Sequence, residues 1–73
     1  MTKARMKWYL SDLNPTYRNH LNSLKDIGEK IALDKEKKLV RAEIRGYLTA
    51  LNDAGLISDV QFRGLYTYYT INL

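Results

Sequence analysis

Few residues in this chain have both the type and the spacing for chemistry. His20 is the only imidazole, it falls beside the inner stripe of a helical segment, and no nucleophile is spaced to partner it as a general base. Asp53 and Asp59 bracket a helix junction and raise the question of an acid pair or a cation site, but Asp59 stands where an acid favours a helix N-terminus. The four glycines match neither the G-x-x-x-x-G-K-[ST] nor the G-x-G-x-x-G spacing of a phosphate-cradling loop. With no cysteine and one histidine the chain cannot assemble a Cys/His zinc site. The expectation is therefore a non-enzymatic protein without metal or cofactor, acting by binding.

Charge points to what it binds. The net charge is +4, and residues 1–45 hold eleven bases against six acids while residues 46–73 hold one against two. Lys37, Lys38, Arg41 and Arg45 fall within a sector about 100° wide when wound at 100° per residue, with Glu36 and Glu43 on the other flank. Lys3, Arg5 and Lys7 add a basic segment at the N-terminal end, read as a flexible arm. These seven residues form the candidate nucleic-acid-binding set. Trp8, Tyr9 and Tyr68 form a second set, an aromatic surface for a protein partner or for self-association.

The elements that position these residues follow from punctuation and period. Asn14 caps and Pro15 opens a helix expected over 15–32, whose inner face takes Tyr17, Leu21, Leu24, Gly28 and Ile31. Gly28 on that stripe implies a close helix crossing or a break. Asp34 is the expected cap of a helix over 35–54, with Val40, Ile44, Tyr47, Leu48, Leu51 and Ala54 as its stripe and Gly55 as its stop.

After Gly55 two structures compete. In one, Ser58 and Gln61 form a capping box flanked by Ile57 and Phe62 as a hydrophobic staple, and 58–70 is helical with Phe62, Leu65, Tyr66 and Tyr69 inward and Tyr68 outward. In the other, Val60 and Phe62, then Leu65, Thr67, Tyr69, Ile71 and Leu73, alternate as two strands around Arg63-Gly64, the wing of a winged helix. The helix is preferred: cap and staple agree, Arg-Gly is a poor hairpin turn, and only "GEKIALDKEKK" is available for the short helix that a winged domain requires. The tail "TINL" either frays or pairs with "RMKWYL".

The expected fold is all-α, a compact three-helix single domain over 1–73 with a basic aromatic arm at 1–13; the alternative is a winged helix with a C-terminal β-hairpin. At 73 residues the core is small relative to the surface, so self-association is one route to further burial. No apolar run reaches the length of a signal peptide or membrane span, and the expected setting is cytoplasmic.

The stretch "RGYLTALNDAGLISDVQFRGLYTYYT", residues 45–70, resembles segments of small helical proteins carried by phages and conjugative elements of Gram-positive bacteria. The resemblance implies an accessory protein of a mobile element, a class that includes repressors, antirepressors, excision factors and inhibitors of host defence. It carries no functional residue across. Two functions follow as expectations: nucleic-acid binding through the basic helix flank, or a protein-interaction module that binds a regulator or a host defence nuclease through the aromatic surface.

Overall fold

A computed structural model of the chain describes residues 2–73 as four helices: α1 (Lys3–Asp12), α2 (Pro15–Lys30), α3 (Asp34–Asp53) and α4 (Asp59–Thr70). Among the described residues there is no strand. The all-helical expectation holds, and the count of three is corrected to four.

The added helix is the segment expected to be an arm. Met1 lies outside the described residues, but Lys3–Asp12 is helical, opened by Thr2, whose Oγ1 accepts a hydrogen bond from the Arg5 amide at 3.1 Å. Met6, Tyr9, Leu10 and Leu13 recur at steps of three, one and three, and they bind the helix to the rest of the molecule. Tyr9 and Leu13 are buried, and Met6 and Leu10 are half-buried. Lys3, Arg5 and Lys7 thus stand on a helix rather than on an irregular arm.

α2 begins as its punctuation implies. Asn14 Oδ1 accepts from the Thr16 amide at 2.9 Å and Pro15 takes the first helical position. The helix stops at Lys30 because Ile31 is already extended. Asp34 does not cap α3: Leu33 holds that position without a side-chain bond, and Asp34 and Glu36 instead place negative charge in the first turn, where the helix dipole favours it. Gly55 ends the junction after α3 with φ +75°, the left-handed conformation glycine adopts without strain.

The winged alternative fails at residues 59–70, which are helical. Ser58 Oγ accepts from the Gln61 amide at 3.1 Å, and the Ser58 amide donates to Gln61 Oε1 at 2.8 Å. Ile57 is buried and Phe62 half-buried at the staple positions, so the local signals that open this helix act together. Ile71–Leu73 form a turn after α4 and pair with no strand.

α4 packs on all three other helices, α2 on α3 and α4, and α1 mainly on α4. Leu21, Ile44, Leu48, Leu65 and Tyr69 are fully buried where these elements meet. Gly28 belongs to the close-approach reading: a methyl group there would stand 2.7 and 2.9 Å from the Leu73 δ-carbons and 3.0 Å from Val40 Cγ1. Gly46, by contrast, has open space around its α-carbon on α3. Both substitutions to alanine gain helix propensity of about 1 kcal/mol, but only Gly28→Ala must displace a packed neighbour. Gly46→Ala is expected to raise unfolding free energy by about 0.5–1 kcal/mol in urea titrations, and Gly28→Ala by clearly less; equal gains would contradict the close packing at Gly28.

Candidate functional site

The α3–α4 seam is locked at both ends by side chains. At one end Asn52 Nδ2 donates to the Ile57 carbonyl at 3.1 Å and to Asp59 Oδ1 at 2.9 Å. At the other the Arg41 guanidinium donates to the main-chain oxygen of Leu73. These anchors fix the two helices antiparallel, and at 100° per residue Lys38, Arg45 and Thr49 share a side of α3 with Arg41 and Asn52. On α4, Phe62, Arg63, Tyr66 and Thr70 share the side of Asp59 by the same spacing. The Phe62 and Tyr66 rings lie parallel, with centres 6.3 Å apart and an interplanar angle of 4°.

The four basic residues expected on the α3 flank therefore lie together but do different things. Lys38 and Arg45 are exposed, Lys37 is half-buried, and half-buried Arg41 spends its guanidinium on Leu73. Arg41 thereby links α3 to the residues after α4 through one guanidinium nitrogen. Arg63, exposed on α4, joins the flank. By helical spacing it shares the side of α4 that carries Asp59, which a reading confined to α3 could not bring into the set.

Lys3, Arg5 and Lys7 are exposed on α1, which reaches α3 by way of α4, so they do not extend the α3 flank continuously. Arg5 instead lies near Trp8, its guanidinium carbon 5.9 Å from the ring centre. The aromatic set divides as well. Trp8 is exposed, whereas Tyr9 is 2% exposed and is a core residue, so its assignment to a partner surface is corrected. Tyr68 is half-buried rather than outward: its ring meets Tyr69 edge-on at 4.9 Å, and Lys25 Nζ stands 4.0 Å over its centre. Tyr68 also lines a groove between α1 and α4 of about 580 Å³.

His20 is exposed with its ring 4.4 Å from that of Tyr47, and burial, then Tyr17, pushes the Tyr47 hydroxyl pKa up. Asp59 accepts from Asn52 at the start of α4 and Asp53 is exposed at the end of α3. No group of three or more His, Cys, Asp or Glu side chains among the described residues is placed to hold a metal ion, and no helix there is long and apolar enough to cross a membrane. Comparison with protein-family models, with curated proteins and with solved structures finds no match.

Among the described residues Tyr69 is the one buried side chain whose polar group reaches across helices, its hydroxyl donating to Asn22 Oδ1 at 2.9 Å. Burial first and then Tyr68 push its pKa up from 10.0 to about 12, partly opposed by Arg18. The unfolded chain gives up this proton near pH 10 and the folded one near 12, so stability is intact below pH 10 and falls as pH rises between those values. Tyr69→Phe is expected to lower stability at neutral pH by about 1 kcal/mol, with the gap to the parent closing above about pH 10. Urea titrations in which the gap stays constant to about pH 11 would contradict this.

Proposed function

We propose that this chain is a small non-enzymatic accessory protein of a mobile element that binds nucleic acid across the α3–α4 seam. The observation that carries the reading is the exposure of Lys38 and Arg45 on one side of α3, with Glu36 and Glu43 on its other flank. Seven residues apart, the two α-carbons are separated by about 10 Å along the helix axis, so the two side chains can reach different phosphates of one duplex. Arg63 supplies a third cation from α4, and Lys37 borders the group. Arg41 acts indirectly, holding the seam that presents the others.

Contacts of this kind are made to phosphates, so they position the protein without reading sequence. The mobile-element setting is supported by the resemblance within residues 45–70.

Fluorescence anisotropy with a short duplex at several salt concentrations tests the reading. Affinity is expected to fall steeply with salt, and the Lys38→Ala/Arg45→Ala double variant to flatten the log–log slope by about one unit for each phosphate that is no longer neutralised. Glu29→Gln, exposed on α2 and part of neither flank of α3, should leave the slope unchanged. Absence of binding to duplex or single-stranded DNA at low salt would refute the proposal.

A further inference from the structure

The groove between α1 and α4 takes no part in the seam. Met6, Leu10, Tyr68 and Ile71 supply its apolar lining, Lys3, Lys7 and Arg18 its charge, and no carboxylate lines it. Arg18 is fixed in place because its guanidinium donates to the Leu10 carbonyl at 2.9 Å, and Lys25 over the Tyr68 ring adds a further cation. An apolar channel with only positive charge along it fits an apolar ridge flanked by carboxylates.

The same chain carries such a ridge on the side of α3 turned away from α4. Leu39 is 62% exposed, with Glu36 three residues before it and Glu43 four after, both within 60° of it around the helix. Ile27 in the last turn of α2 and Leu33 in the α2–α3 connection are exposed as well, and Lys35, four residues before Leu39 and 40° from it, sets one cation against the two carboxylates.

We propose that the Glu36–Leu39–Glu43 face of one copy docks into the α1–α4 groove of a second copy. The dimensions agree: the ridge from Glu36 to Glu43 is about 10 Å long and the ten residues of α1 span about 15 Å. Ridge and groove lie on different sides of the molecule, so the contact is head-to-tail and each added copy leaves one ridge and one groove free. A single helical face in a groove of this size buries less than the roughly 1,200 Å² of a stable interface, so the association is weak and reversible. It leaves Lys38, Arg45 and Arg63 uncovered.

Sedimentation equilibrium from about 10 μM to 1 mM reads the outcome directly, since weak interfaces populate in that range. The parent protein is expected to rise in average mass with concentration, past that of a dimer, and to do so less at high salt. Lys3→Glu/Lys7→Glu, which cancels the net positive charge of the groove, and Leu39→Asp, which disables the ridge, change exposed residues and should keep the helical circular-dichroism spectrum. Each alone is expected to weaken association about tenfold or more, while an equimolar mixture of the two forms a 1:1 heterodimer and nothing larger. A parent protein that stays monomeric to about 1 mM, a variant that associates like the parent, or a mixture that stays monomeric would each overturn the proposal. DNA binding by monomeric Leu39→Asp keeps this result separate from the function of the seam.

Discussion

The burial of one face of α4 is the constraint on which the rest depends. Leu65 and Tyr69 are fully buried, and α4 packs on every other helix. A domain of this size has roughly 4–11 kcal/mol of total stability, whereas a fully buried leucine side chain alone is worth about 2–5 kcal/mol when cut back to alanine. Two or three such side chains are comparable with the whole margin, so α4 is integral rather than an appendage. Polar contacts then orient it: Gln61 Nε2 donates to Asp12 Oδ2 at 3.1 Å on the α1 side, Tyr69 to Asn22 on the α2 side, and Asn52 and Arg41 hold the α3 side.

This arrangement separates two kinds of surface. Between α3 and α4 the seam is closed by side-chain clamps, and cations from both helices border it. Between α4 and α1 the packing leaves an open channel that is apolar and positively lined. Proposed phosphate binding uses the first and proposed self-association the second, and they are compatible because the ridge on α3 is turned away from the seam.

Local signals were legible wherever one residue and its near neighbours decide the outcome. Asn14-Pro15, Ser58 with Gln61, and Gly55 act within a few positions of themselves, and each does in the structure what its type and spacing imply. α1 was obscured because its apolar positions, Met6, Tyr9, Leu10 and Leu13, are few and set among Lys3, Arg5 and Lys7, so charge masked the period. Asp34 shows that a good capping residue can fall one position inside a helix whose start is set by the α2–α3 connection. The roles of Arg41, Arg63 and Tyr9 were beyond reach for a different reason: each depends on what another helix brings opposite, which no single-helix projection contains.

Native-state hydrogen exchange tests the central role of α4 most directly, because it reports the opening free energy of each helix separately. If α4 is the element against which the others pack, the amides of Leu65 and Tyr69 exchange only through global unfolding, with the same free energy as those of Ile44 and Leu48 on α3. Exchange of α4 amides through a lower-energy opening that leaves α2 and α3 protected would contradict the account.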